Sequence, residues 1–273
     1  MTGVAIVTSS GGMTCAYSVG AILALKDHYG LTPETVDLAI GSSGSTGTLS
    51  YMASWQYECF RNIWEELITT SRFINYCRLH KVMDVDYLVD EVFGELDPLD
   101  IDAVKRSPMK LLIPVTHAVT GELRYFSNRD NVDHFELLRA SKAAPIVYGR
   151  KVYLDGEPFI DSALSVSTEL NIQRAVQEGA RKIIVIDNTV NSWWSRAALY
   201  SWSLCVPRGL GRTIRNNCLK TRHTQSSNVR VIRISRNRNL PGSILDNNPD
   251  HIRETIDLGY DDVERNLELK RYL

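Results

Sequence analysis

The sequence predicts an α/β protein built on a mostly parallel central sheet. Two observations predict it: short continuous runs of Val, Ile and Leu recur along the chain, and helical patterns lie between them. A run that is apolar on both faces belongs in a sheet covered on both sides, which is the habit of parallel strands. With 273 residues and no Pro/Gly/Ser linker, low-complexity tract or internal repeat, the chain is expected to form one domain, residues 1–273.

The elements follow in order. Val4 to Thr8 is the first expected strand and runs into the glycine-rich turn SSGG. Cys15, Val19, Ile22 and Leu23 then recur at helical spacing, and Gly30 is placed to stop that helix. Leu38 to Ile40 is the second strand, followed at once by small residues. Lys110 to Thr116 and Leu123 to Phe126 supply two more. KVYL-DG-EPFI reads as a hairpin whose two-residue turn is Asp155-Gly156, since Asp-Gly tolerates the left-handed backbone such a turn needs. Ile172, Ala175 and Val176 mark a helix ending before Gly179, and Lys182 to Asp187 and Val229 to Ile234 complete the strands.

Composition excludes several classes. The formal net charge is -1, so no global attraction to nucleic acid is expected. Five cysteines, Cys15, Cys59, Cys77, Cys205 and Cys218, have no paired spacing, which argues against a disulfide framework or a zinc site and suits a reducing compartment. MTGVAIVTSSGG carries no signal-peptide pattern, and no stretch reaches the roughly 18 apolar residues of a membrane span, so a cytoplasmic location is expected. One segment stands apart: Asn188 to Leu245 holds no Asp or Glu but contains Arg196, Arg208, Arg212, Arg215, Lys220, Arg222, Arg230, Arg233, Arg236 and Arg238. Trp193, Trp194, Tyr200 and Trp202 fall in its first half. That mix suits an anionic lipid surface or a lid over an apolar pocket, and equally a solvated basic face.

Three stretches carry chemistry. In TSSGGMTCAYSVGAILAL a glycine-rich turn precedes a helix, so its backbone N–H groups can cradle an anion. The spacing is wrong for the dinucleotide fingerprint and the phosphate-loop lysine is missing, which disfavours a nucleotide. In VDLAIGSSGST, Gly41-Ser42-Ser43-Gly44-Ser45 follows a strand as a nucleophile elbow does, with Ser43 as the projecting serine; an ordinary strand-to-helix loop has the same look. In ASKAAPIVYGRKVYLDGEPFIDSAL, Asp161 ends the returning strand of the hairpin. Its carboxylate could serve as base to Ser43 or simply cap the residues after it. The histidines His28, His80, His117, His134, His223 and His251 stand in no recognisable catalytic context.

In this order and separation the three stretches resemble the patatin-like phospholipase family. Its loop Ser-Gly-Gly-Gly-x-Arg-Gly corresponds to SSGGMTC, its Gly-x-Ser-x-Gly to Gly41 through Ser45, and its Ala-Ser-x-Ala-x-Pro to Ala140, Ser141, Ala143 and Pro145. EGARKIIVIDN and LGYDDVERNL are also similar to the family, and the likeness fades between about Ser192 and Asn228. The resemblance implies a three-layer α/β/α fold and a Ser-Asp dyad: Ser43 as nucleophile, Asp161 rather than Asp155 as base, and Ser10, Gly11, Gly12 and Met13 around the oxyanion. It implies a phospholipid or other fatty-acyl ester as substrate, no metal or cofactor, and no nucleic acid. Residues 188–228 would be a variable insertion or lid, with peripheral membrane contact through 193–222. The sequence departs from the family where Ser10, Thr14 and Cys15 replace glycine, arginine and glycine, where Ser45 replaces the last elbow glycine, and where Ser162-Ala163 follows the aspartate. Two other readings stay open: a lipid-binding relative without turnover, and a Ser-His-Asp esterase using His223 or His251.

Overall fold

The computed structural model describes residues 3–78, 81–189, 193–219, 229–234, 236 and 238–272. The strands are β1 (Val4–Thr8), β2 (Leu38–Ile40), β3 (Lys110–His117), β4 (Leu123–Ser127), β5 (Val152–Leu154), β6 (Glu157–Asp161), β7 (Lys182–Ile186) and β8 (Arg230–Ile234). They join in one sheet of order β5-β6-β3-β2-β1-β7-β8, with β4 on β3. Neighbours from β3 through β8 along that order are parallel; β4 and β6 run antiparallel to β3.

The helices that matter for the site are α1 (Ala16–Tyr29), α2 (Ser45–Ala53), α3 (Tyr87–Leu96), α4 (His134–Lys142), α5 (Thr168–Gln177), α6 (Trp193–Trp202), α7 (Arg208–Leu219) and α8 (Pro249–Glu264). The expected three layers are present. Val4, Ile6, Ala39, Leu111, Ile113, Ile184 and Ile186 face α1, α2 and α8 in the larger core. Their neighbours Ala5, Val7, Leu38, Ile40, Leu112, Ile183 and Val185 turn to the opposite face, where α5 covers them with Ile172 and Ala175. Alternate residues of β1, β2, β3 and β7 are therefore buried on both sides, which is why these strands read as mostly apolar runs.

α1 is buried on nearly every side, although its sequence periodicity marks only one face. It meets α8 backbone to backbone: a Cβ on Gly20 would fall 1.8 Å from the Ile256 carbonyl oxygen, and one on Gly259 would fall 2.0 Å from that of Tyr17. The Tyr17 hydroxyl donates to Asp262 at 2.9 Å and ties the crossing together.

The sheet topology positions the two residues of interest. β3 gives one edge to β4 and its other edge to two strands in succession. β2 pairs with Lys110, Leu111 and Leu112, and β6 takes over at Val115, Thr116 and His117, running the opposite way. The chain leaving β2 at Ile40 and the end of β6 at Asp161 therefore point at each other across a short gap.

The basic, aromatic segment forms α6 and α7. Leu199, Trp202, Val206, Leu210 and Ile214 pack it onto Ala118, Ile160 and Leu164. Tyr200, Leu204, Arg208 and Arg212 are exposed. The side chains of Trp193, Trp194 and Arg196, together with residues 190–192 and 220–228, lie outside the described residues, and so do Lys220, Arg222 and His223. Among the described residues no helix is long and apolar enough to cross a membrane.

Candidate active site

β2 ends at Ile40, and α2 begins at Ser45 after only four intervening residues. Ser43 sits at the turn with φ of 54°, a left-handed conformation that a side chain adopts at a cost and that lifts its hydroxyl off the sheet. Its carbonyl is held by the Thr46 backbone N–H at 3.1 Å, with the Thr46 hydroxyl at 2.8 Å. Gly41 lies beneath, packed on Leu49 and Thr8. Gly44 has ordinary helical dihedrals, yet an added Cβ there would stand 2.7 Å from the Gly12 carbonyl oxygen. The turn and the glycine-rich loop are thus in backbone contact, and this contact is what demands glycine.

Ser45 departs from the family pattern without strain, because it is the first residue of α2 and needs no left-handed backbone. Its hydroxyl accepts from Thr8 Oγ1 at 2.7 Å and from the Ser42 N–H at 3.2 Å, and lies 2.9 Å from the Ser42 carbonyl. It stitches the end of β1 to the turn. Thr14 has a comparable structural use: its buried Oγ1 lies 2.8 Å from the Gly11 carbonyl and 2.7 Å from that of Asn188, fastening the glycine-rich loop to the chain after β7.

Asp161 ends β6 with its side chain buried. One carboxylate oxygen accepts the Ala163 N–H at 2.8 Å, and the other accepts the Ser43 hydroxyl at 2.6 Å. The capping role and the contact with Ser43 therefore coexist on one carboxylate. Burial pushes the Asp161 pKa up to about 6, against the opposing pull of its hydrogen bonds and of the Lys142 ammonium. Asp155 stays in the exposed hairpin turn, where Asp155 and Gly156 both have positive φ.

Ser43 and Asp161 open into a cavity of about 200 Å³ shared with Ser10, Gly11, Gly12 and Met13. The rest of its wall is mostly apolar, with Tyr51, Phe60, Trp64, Phe73, Leu88 and Phe93 among the lining side chains. No described residue of α6 or α7 lines it; the basic stretch contributes Ile244 instead. The Ile244 carbonyl accepts the Met13 N–H at 2.9 Å, so this donor of the loop is engaged, while the N–H groups of Ser10, Gly11 and Gly12 have no partner among the described residues.

Lys142 was not marked by the sequence reading and proves to be part of the site. It is 7% exposed, lines the cavity, and is the only basic side chain to do so among the described residues. Burial brings its pKa down to about 7. No described histidine lines the cavity. His134 bonds to Ser50 at 3.0 Å, His251 to Asp246 at 2.8 Å, and His117 Nδ1 accepts the Val119 and Thr120 N–H groups.

Comparison with known proteins bears on the family and the fold. No curated protein matches the chain. Among solved structures, VipD from Legionella pneumophila is similar with a TM-score of 0.53 and 12% identity over 96% of this chain. Human GIVD cytosolic phospholipase A2, in complex with methyl gamma-linolenyl fluorophosphonate and terbium chloride, gives a TM-score of 0.50 and 13% identity over 96% of this chain. At that identity the likeness is one of fold. The chain covers 66% of the VipD structure and 57% of the phospholipase structure. The sequence model of the patatin-like phospholipases matches residues 6–170, well over half of the 273 residues, and spans the loop, the turn and Asp161. The chain belongs to the patatin-like phospholipase family.

Proposed function

We propose that the protein is a serine acyl hydrolase acting on a glycerophospholipid or another fatty-acyl ester, with Ser43 and Asp161 as its catalytic dyad. The observation that carries this reading is the 2.6 Å hydrogen bond from a left-handed Ser43 to a buried Asp161 at the wall of an apolar cavity. Ser43 Oγ attacks the ester carbonyl carbon as its proton passes to Asp161, and the carbonyl oxygen becomes an oxyanion. The N–H groups of Ser10, Gly11 and Gly12, without a partner among the described residues, are the loop donors available to it, each such donor being worth on the order of 3 kcal/mol. Collapse of the tetrahedral species breaks the ester C–O bond, and Asp161 returns its proton to the departing alcohol. Water then attacks the acyl-serine, giving its proton to Asp161, and the fatty acid leaves as Ser43 is reprotonated. The apolar wall takes the acyl chain out of water at roughly 0.8 kcal/mol per buried methylene.

The test is hydrolysis of a fatty-acyl ester by wild type, Ser43→Ala and Asp161→Ala. Each variant is expected to lose a factor on the order of 10³ or more in kcat. Variants that keep the wild-type rate refute the dyad. A lipid-binding relative without turnover is the second reading, favoured by the engagement of the Met13 donor with the Ile244 carbonyl. A fluorophosphonate probe separates the two, since a competent turn is labelled at Ser43 and a dead one is not.

A further inference from the structure

A lysine side chain sealed from solvent beside phenylalanine loses stability by being there, so its presence calls for a use. Lys142 is the last residue of α4. Its Nζ donates to Thr46 Oγ1 and sits 3.4 Å from the Leu138 carbonyl, with the Phe93 ring centroid at 5.9 Å. Thr46 in turn holds the Ser43 carbonyl, Ser43 Oγ donates to Asp161, and the Asp161 N–H donates to the carbonyl of Ala143 at 3.1 Å. Ala143 is the next residue after Lys142. The hydrogen bonds therefore form a closed circuit: Lys142, Thr46, Ser43, Asp161, Ala143 and back along one peptide bond to Lys142.

Resting on the dyad reading above, we propose that Lys142 is a positioning residue that fixes the Ser43 turn through Thr46 and holds Asp161 as a carboxylate, ready to accept the serine proton. The reason is electrostatic. Desolvation favours the neutral form of both buried groups, and each charge counters that preference in the other. The titratable groups facing the ammonium are Asp161 from β6, the Cys15 thiol at the start of α1 and His134 from the first turn of α4. α3 offers the Phe93 ring and α2 the Thr46 hydroxyl. Burial drives the Cys15 thiol far up and His134 down to about 4, so both are neutral across the working range and Asp161 is the one anion opposite. Where the family loop carries arginine this chain has Thr14, and the cation of the cavity comes from α4 instead.

The test compares wild type, Lys142→Met and Lys142→Arg, with Ser43→Ala and Asp161→Ala alongside. The readouts are kcat/KM for a soluble fatty-acyl ester between pH 4.5 and 9, and the rate of fluorophosphonate labelling of Ser43 over the same range. Lys142→Met is expected to move the acidic limb upward by about one pH unit or more, a tenfold loss below pH 6, with a much smaller change on the plateau. Lys142→Arg is expected to keep the limb near its wild-type position. An unmoved limb in Lys142→Met, or a loss of equal size at every pH, overturns the assignment while the dyad stands if Ser43→Ala and Asp161→Ala are inactive. If those two variants retain wild-type rates, the dyad reading falls and takes the role of Lys142 with it.

Discussion

Ser43 and Asp161 are 118 positions apart along the chain and 2.6 Å apart in space. What joins them is the succession of β2 and β6 along one edge of β3: one strand delivers the hydroxyl at its end, the other delivers the carboxylate at its own end from the opposite direction. The glycine-rich loop reaches the same point from the end of β1, the strand beside β2, and Thr14 fastens it to the Asn188 carbonyl after β7.

The contact between the Ser43 turn and that loop predicts a sharp response at Gly44. Gly44→Ala places a methyl group 2.7 Å from the Gly12 carbonyl oxygen and 3.1 Å from Cys15 Sγ, and backbone on one side gives way poorly. The turn and the loop of the proposed oxyanion donors must separate by a few tenths of an ångström or more. We expect kcat to fall on the order of 10²-fold, with the rate of fluorophosphonate labelling falling in parallel. Gly30→Ala is the control: its Cβ meets nothing within 4 Å, and although φ of +63° costs stability there, esterase kinetics should stay unchanged.

With Asp161 as the proposed base, its ionisation is expected to set the pH dependence. Its pKa is raised to about 6 by burial, and the base must be ionised to accept the proton from Ser43. Activity is accordingly expected to be low below pH 5, to climb through pH 6 and to level off above pH 7. A pH profile of kcat/KM checks this. A limb near pH 4, the range of an ordinary carboxyl group, would mean that Asp161 is not the titrating base.

Ser45 offers a prediction that runs against the family pattern. Ser45→Gly restores the glycine of related sequences but strands two buried groups, Thr8 Oγ1 and the Ser42 N–H, and puts a glycine in the first turn of α2. Leaving a buried donor unpaired costs about 1–3 kcal/mol. The variant should therefore melt lower than wild type in a thermal denaturation measured at neutral pH, and an unchanged Tm would show that the hydroxyl bonds contribute nothing net.

Much of this architecture was legible in the sequence because double-sided burial writes itself as apolar runs: β1, β2, β3 and β7 are of that kind, while β8 carries Arg230 and Arg233 among its apolar residues. The hairpin was legible through Asp155-Gly156, whose positive φ values answer the turn that Asp-Gly encodes. Helices were harder to read. Asn62–Leu67 and α3 are wound as π-helix, a wider turn that their apolar pattern does not distinguish from an ordinary helix, and α1 is buried almost all round. Lys142 escaped notice for a different reason. A lysine in sequence looks like a solvated surface residue, and only packing against Phe93 and Thr46 makes it otherwise.

That packing has a measurable consequence for stability. The pKa of Lys142 falls from 10.5 to about 7 on folding, so between those values the unfolded chain binds more protons than the native one. The burden of the buried ammonium is thus fully present below pH 7, shrinks as pH rises and is gone above 10.5. Lys142→Met removes it and should raise Tm most near pH 6, with the gain over wild type diminishing steadily toward pH 10. Paired melting curves across that range check the sign, and a gain that does not vary with pH would show that the effect comes from packing alone.

The last prediction concerns access to lipid. Exposed Tyr200 and Leu204 share a surface segment with exposed Arg208 and Arg212, and the described part of that segment packs on Ala118, Ile160 and Leu164 rather than on the cavity wall. A lid lying on the cavity would line it, whereas a docking surface need not. We propose that residues 193–222 contact an anionic membrane surface peripherally. Each basic residue near such a surface contributes about 1 kcal/mol, screened over roughly 8 Å at physiological ionic strength. Binding to vesicles containing phosphatidylserine should therefore weaken as salt rises, and Arg208→Glu with Arg212→Glu should weaken it by about tenfold or more while leaving hydrolysis of a soluble ester unchanged. Vesicle binding that ignores both salt and these charge reversals would place the membrane contact elsewhere on the molecule. A parallel loss of soluble-ester hydrolysis would instead tie α7 to the cavity.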